Sequence, residues 1–326
     1  MDDDIFLSLS QLFAEDWANR SKKVTVSLDM WGFCTPQNIN KKIRRTAYLR
    51  PLHRELLRQF VQICLDADVE AFIYGGTALG AFREDGHMIP FDYDNDFATL
   101  EYSQKNELSE GTLSRLANFC LHEPSLAGLF DIQGLNYEAP SEAIIQVDFR
   151  DPFFSTPWLF LNNEGFISER IFSGVGGKRA KFYFTPNGLR EAVRKVGQVK
   201  FGKFEELNRS ITDIHIDLFT LSPHPDSPQD HLRVNWHRGS VYDSLNKKFS
   251  VNHFFPLQKV TFEGVQVLAP SNLEGYLTEE YGYLGRDAMY DSAKQCYIKI
   301  PEYLRDKLPA YYKKYISGSF CVDQLQ

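Results

Sequence analysis

No run of about 18 or more apolar residues occurs in the sequence, so no segment is fit to cross a bilayer as a helix. The opening "MDDDIFLSLS" carries acid where a secretory signal carries Lys or Arg, and the expected compartment is the cytosol. Positive charge is also in deficit. With 36 Lys and Arg against 43 Asp and Glu, the formal net charge is -7, which argues against a broad nucleic-acid footprint while leaving room for a local basic patch near a small anion. Cysteine is sparse: the five (Cys34, Cys64, Cys120, Cys296, Cys321) are odd in number, far apart and free of any CxxC spacing, which excludes a disulfide framework and a cysteine-rich zinc site. Internal repeats and low-complexity tracts are absent as well. What is present is core material, with 43% apolar and 14% aromatic residues in 326, enough for one large domain or two modest ones.

Periodicity places several elements. Leu49, Leu52, Leu56, Phe60 and Cys64 recur at steps of three and four, which predicts an amphipathic helix from Tyr48. "VEAFIYGG" reads as a strand ending in a glycine pair, "TALGAFRE" as a helix, "DGHMIP" as a turn and "FDYDNDFATL" as a second strand. "AIIQVDF" is strand-like, and "ITDIHIDLFTL" alternates so that Asp213, His215 and Asp217 share one face. "FFPLQKVTFEGVQVLAP" reads as a hairpin, "SNLEGYLTEEYG" as a capped helix with a Gly stop, and "PEYLRDKLPAYYKKYI" as a helix interrupted at Pro309. "IFLSLSQLFAEDWANR" has the pattern of a short amphipathic helix to which no chemistry attaches.

The chemistry concentrates in "FDYDNDF". In an extended chain Asp92, Asp94 and Asp96 lie on one side, about 6–7 Å apart. Three carboxylates so close repel, and a divalent cation is the natural compensation; oxygen ligands select Mg²⁺, Mn²⁺ or Ca²⁺. An EF-hand loop begins the same way, but its required Gly and Glu are Phe97 and Ser103 here. A solvated acidic turn is the other alternative, opposed by the interleaved Phe91, Tyr93 and Phe97. Gly75-Gly76 at a strand-to-helix junction lets backbone approach a phosphate, although a tight turn would need the same glycines. Arg83 lies two helical turns further on. A further acid from a separate strand is expected in two-metal phosphoryl chemistry. Asp217 is the first choice, with Asp148 and Asp213 as rivals, and His215 is either a hydrogen-bonded strand histidine or a partner or base beside Asp217.

The stretch "YGGTALGAFREDGHMIPFDYDNDF" resembles the signature of the LicD family, which includes phosphocholine and ribitol-phosphate transferases, fukutin and fukutin-related protein. Gly75, Gly76, Thr77, Leu79, Gly80, Arg83, Ile89, Pro90, Asp92, Asp94 and Asp96 match in order. The block from Phe254 to Gly282 is similar to the family's C-terminal stretch. Phe91 stands where the family has Trp, and Asn95 replaces a branched apolar residue.

The resemblance implies an α+β fold: a nucleotidyltransferase-like mixed β-sheet flanked by helices, here with a large insertion and a C-terminal helical extension. The implied domains are an N-terminal extension at 1–47, a catalytic domain at 48–285 with an inserted acceptor-binding region at about 105–205, and a helical tail at 286–326. It implies a transferase moving a phosphorylated alcohol from a CDP-linked donor to a glycan hydroxyl. Mg²⁺ or Mn²⁺ would be held by Asp92, Asp94, Asp96 and Asp217. Asp94, Asp96 and Asp217 would be catalytic, and Gly75, Gly76, Thr77 and Arg83 would bind donor phosphates. Neither nucleic acid nor a membrane segment is expected as a partner, and a chain carrying an N-terminal anchor would work in the Golgi lumen. Two alternatives stay open: transfer of a nucleoside monophosphate with release of pyrophosphate, and a non-catalytic relative that binds a glycan or nucleotide.

Overall fold

The computed structural model describes residues 28, 34–35, 38–101, 111–130, 138–150, 159–161, 166–169, 179–197, 214–235, 247–306 and 308–318. The amphipathic segment before residue 21, Asp213 and Cys321 therefore lie outside the described residues. By internal contacts the chain divides into two compact units. One comprises residues 1–48, 89–93 and 277–326, and the other residues 49–88 and 94–276.

The larger unit is built on a mixed sheet of ten strands with the order β11-β12-β1-β2-β8-β7-β4-β3, and β9 and β10 continue from β8. The strands are β1 (Phe72–Ile73), β2 (Asn95–Leu100), β3 (Leu126–Leu129), β4 (Ile145–Asp148), β7 (Arg179–Phe184), β8 (His215–Pro223), β9 (His231–Val234), β10 (Phe249–Ser250), β11 (Gln258–Phe262) and β12 (Val265–Ala269). A separate two-stranded ribbon is made by β5 (Leu159–Leu161) and β6 (Ile167–Glu169). The chain is of the α+β class, with helices flanking a mixed sheet. Strands β3, β4 and β7, from the stretch between 105 and 205, are members of this main sheet.

The predicted helix after Tyr48 is the C-terminal part of a longer one, α1 (Ile39–Asp66). Its apolar stripe extends backward through Ile43 and Ile39, both fully buried, and the basic "NKKIRR" stretch forms its start. Pro51 sits inside it and removes one backbone donor. From α1, Phe60 packs against Phe97 of β2 and Phe182 of β7, with ring centroids 4.6 and 4.8 Å away. One sheet face is thereby filled with Phe97, Phe182, Ile216 and Leu218, all buried.

Helix α2 (Gly75–Arg83) begins at the glycine pair itself, and α3 (Thr112–His122) follows β2. Helix α4 (Pro186–Val196) has a side-chain cap, because Thr185 Oγ1 accepts from the Gly188 N–H at 3.0 Å, and it ends at Gly197 in the left-handed region. After β10 comes the one-turn helix α5 (Val251–Phe254). The β11–β12 hairpin turns at Glu263 and Gly264, both with positive φ (50° and 75°), as a primed hairpin turn requires. Asn272 caps α6 (Leu273–Tyr281) by accepting from the Gly275 N–H, and Gly282 follows with φ 81°.

The smaller unit packs Leu28, Cys34, Ile39, Ile43, Ile300, Leu308, Tyr312 and Tyr315 into its own core, with Phe91 against Tyr315. It holds the hairpin β13 (Ala288–Asp291) and β14 (Cys296–Lys299), then α7 (Glu302–Arg305) and α8 (Ala310–Ile316), which Pro309 separates as the sequence predicts. Among the described residues, no helix is long and apolar enough to cross a membrane.

Candidate functional site

Strand β2 starts at Asn95, so the three alternating aspartates do not share one strand as the sequence reading expects. The cause is local. The Asp92 N–H closes a turn onto the Ile89 carbonyl at 2.9 Å, and its carboxylate accepts from the Tyr93 N–H at 3.0 Å, which competes with ladder pairing. Asp92 belongs to the smaller unit, where its carbonyl also accepts from Thr46 Oγ1 at 2.6 Å. Asp94 is the last residue before the strand and Asp96 the second within it.

The parallel ladder between β2 and β8 sets Asp96 directly beside Asp217. The antiparallel ladders continue the row, with Lys181 beside Asp217 and Asp148 beside Lys181. Two residues along, His215 lies beside Tyr183, their rings 5.8 Å apart. Charged and polar side chains thus line one face of the sheet, while the other face holds the phenylalanine core.

Asp94, His215 and Asp217 converge so closely that one ligand atom from each lies within 4.8 Å of the others. His215 Nε2 is 3.4 Å from Asp94 Oδ2 and 3.6 Å from Asp217 Oδ2. Burial and the Lys181 ammonium disfavour a charged His215 ring, but hydrogen bonds to Asp217 and Asp94 outweigh them and raise its pKa to about 9. Burial likewise opposes the Asp217 charge, yet Lys181, whose Nζ is 3.3 Å away, and His215 hold that carboxyl well below the usual range. Asp217 Oδ1 is buried and accepts no hydrogen bond among the described residues.

That orphaned oxygen tests whether a cation fits. Two carboxylates, with an imidazole that would give up its proton on binding, supply a three-ligand set for a divalent cation, and an unpartnered carboxylate oxygen in the interior is the atom such an ion would satisfy. On α1, His53 is buried, and neither ring nitrogen is hydrogen-bonded among the described residues. Burial, with the His215 charge, lowers its pKa to about 4, so the ring is neutral and keeps a lone pair.

The remaining sequence-named residues are also placed. Asp96 is firmly tied: its N–H donates to Thr77 Oγ1 at 2.7 Å, its carbonyl accepts from Tyr74, and its Oδ2 accepts from the Gly76 N–H at 3.3 Å. The Gly75 N–H donates to the Tyr276 hydroxyl at 2.9 Å. Both glycine amides are therefore engaged within the protein. Arg83 is largely buried and pairs with Glu84 at 3.0 Å. Asp148 accepts from Arg150 Nε and Nη2, each at 2.9 Å.

A second polar assembly holds the turn at Gly86 and Met88. Glu263, with its side chain 1% exposed, accepts from Arg50 Nε at 2.8 Å, Arg54 Nε at 2.6 Å and the Met88 N–H at 2.8 Å. Its own N–H donates to the Gly86 carbonyl.

Sequence reasoning selected Asp94 and Asp217 but did not name Lys181 or His53. Lys181 was signalled by the alternation in "RAKFYF", with Arg179, Lys181 and Tyr183 opposite buried Ala180, Phe182 and Phe184. His53 had no signal, since it falls within an ordinary amphipathic pattern.

Residues 68–165 match the family model described as LicD/FKTN/FKRP, nucleotidyltransferase domain. No curated protein matches the chain.

Proposed function

We propose, from the premise that the chain belongs to the LicD family through its nucleotidyltransferase domain at residues 68–165, that it moves a phosphorylated alcohol from a CDP-linked donor to a glycan hydroxyl. The family is one of transferases of phosphate-linked groups that use nucleotide-linked donors. Phosphocholine, ribitol phosphate or a similar group would be the cargo.

The observation that carries this reading is the Asp94–His215–Asp217 cluster, in which Asp94 immediately precedes β2 and the other two lie on its parallel neighbour β8, with the Asp217 Oδ1 left without a partner among the described residues. Asp94, His215 and Asp217 would hold Mg²⁺ or Mn²⁺, with Asp96 alongside as a fixed negative charge that Thr77 and Gly76 keep in place. When bound, the cation would neutralise charge that builds on the phosphate oxygens.

In the reaction, the acceptor oxygen forms a bond to the phosphorus that bears the alcohol. The bond from that phosphorus to the bridging oxygen breaks, CMP departs with the electron pair, and the hydroxyl proton is lost to solvent. The protein's contribution is to fix and desolvate the charged groups before the reactants arrive, which removes reorganisation from the barrier.

Asp94→Asn and Asp217→Asn test the assignment against a panel of CDP-alcohols. Each is expected to lower CMP release by at least about 10²-fold, the scale of losing one preorganised charge-stabilising group, while the fold persists. Release of pyrophosphate from a nucleoside triphosphate, in place of CMP, would establish the monophosphate-transfer alternative. Undiminished turnover in both variants would remove the cluster from the reaction.

A further inference from the structure

We propose that Arg179 and Lys181 of β7 form an anion subsite beside the Asp94–His215–Asp217 cluster that takes a phosphate of a nucleoside diphosphate-linked donor, an inference that rests on the function proposed above. Alternation along β7 puts Arg179, Lys181 and Tyr183 on the face that carries the acids, while Ala180, Phe182 and Phe184 are buried on the other. The register fixes Lys181 next to Asp217 and Arg179 next to Phe219, two residue pairs further along the same two strands and so on the same face.

Charge on this face leaves the two cations underused. Asp148 is in register with Lys181 but is already matched in a fork by the Arg150 guanidinium. Lys181 has one ion-pair partner among the described residues, the Asp217 Oδ2 at 3.3 Å, and its side chain keeps 24% exposure. Arg179 is half-buried and has no hydrogen-bond or ion-pair partner among the described residues, although its charge reaches Asp217. A guanidinium that is partly desolvated without a counter-ion is costly unless an anion visits.

Among the described residues, the positive features that the sequence pattern points to are spent. Gly75 and Gly76 give their amide hydrogens to Tyr276 and Asp96, and Arg83 is paired with Glu84. The phosphate-holding role that the sequence pattern assigns to the start of α2 therefore passes to β7, on the far side of Asp217. A phosphate there would lie between the cluster and a fork of five N–H donors, the geometry in which Arg outperforms Lys.

The test measures binding of CDP, CMP, cytidine and inorganic pyrophosphate, each with Mg²⁺, to the full chain and to Arg179→Gln, Arg179→Lys and Lys181→Met, with circular dichroism confirming the fold. Arg179→Gln and Lys181→Met are each expected to weaken CDP by about tenfold or more, the usual effect of removing one charge-assisted hydrogen bond, and to leave cytidine unchanged. Arg179→Lys is expected to recover part of the loss and serves as the folded variant if the glutamine form does not fold. CDP binding that is equal in wild type and variants would overturn the subsite. If wild type binds pyrophosphate but no cytidine nucleotide, the donor reading fails. The subsite then survives only if the variants weaken pyrophosphate, and it is overturned if they do not or if wild type binds neither probe.

Discussion

Glu263 shows how much one buried carboxylate can organise. It stands at a hairpin turn with φ 50°, an arrangement unusual for a non-glycine residue, and it collects two arginines and a backbone N–H. Burial alone would raise its pKa, but the Arg50 hydrogen bond and charge, with Met88 and Arg54, hold it below the ordinary glutamate value. A depressed carboxyl contributes stability above its unfolded pKa of about 4.3, and that contribution is lost as pH falls through the lower folded value. Glu263→Gln would remove the buried carboxylate that Arg50 pairs with at 2.8 Å and should cost about 3–5 kcal/mol at neutral pH. Urea melts across pH should show the gap between wild type and variant widest near pH 7 and narrowing in acid. Equal stability at pH 7 would show that this assembly does not hold the hairpin.

At the scale of elements, the junction of β1 and α2 has little freedom. Gly75 has φ 54°, and a Cβ there would sit 3.0 Å from Asp96 Oδ2. Gly75→Ala should cost about 1–2 kcal/mol of backbone strain and displace the Asp96 carboxylate, so that turnover falls by more than the loss of stability explains. Thermal melts and CMP release on the same preparation separate the two effects, and an unstrained, fully active variant would contradict the geometry. This junction was legible from its glycine pair, as were the β11–β12 hairpin, the Pro309 break and the strand around Asp217. The start of β2 was not, because alternation in "FDYDNDF" cannot reveal that Asp92 turns its carboxylate back onto Tyr93. Helix α4 is missing from the periodic reading, although Thr185, Pro186 and Gly197 are ordinary cap signals.

Over the whole molecule, residues distant in sequence become neighbours only through sheet order, and periodicity does not encode order. Asp96 and Asp217 are adjacent because β2 pairs with β8 in parallel, and Lys181 joins them because β7 returns beside β8. The pattern of alternation named Asp217 as a polar residue on a strand, and the expectation of a further acid in two-metal chemistry made it the first choice of partner for the acidic segment, a place the family resemblance also implies. The contributions of His215 as a cluster member, of Lys181 as its counter-charge and of His53 as a neutral buried neighbour needed the topology. One measurement addresses the central claim: electron paramagnetic resonance of Mn²⁺ titrated into wild type and into folded Asp217→Asn, which reads the bound ion without any assumption about substrate. Bound Mn²⁺ in wild type that falls by about tenfold or more in affinity when the Asp217 carboxylate is removed is the predicted result. Equal Mn²⁺ affinity in both proteins, or none in wild type, would contradict it.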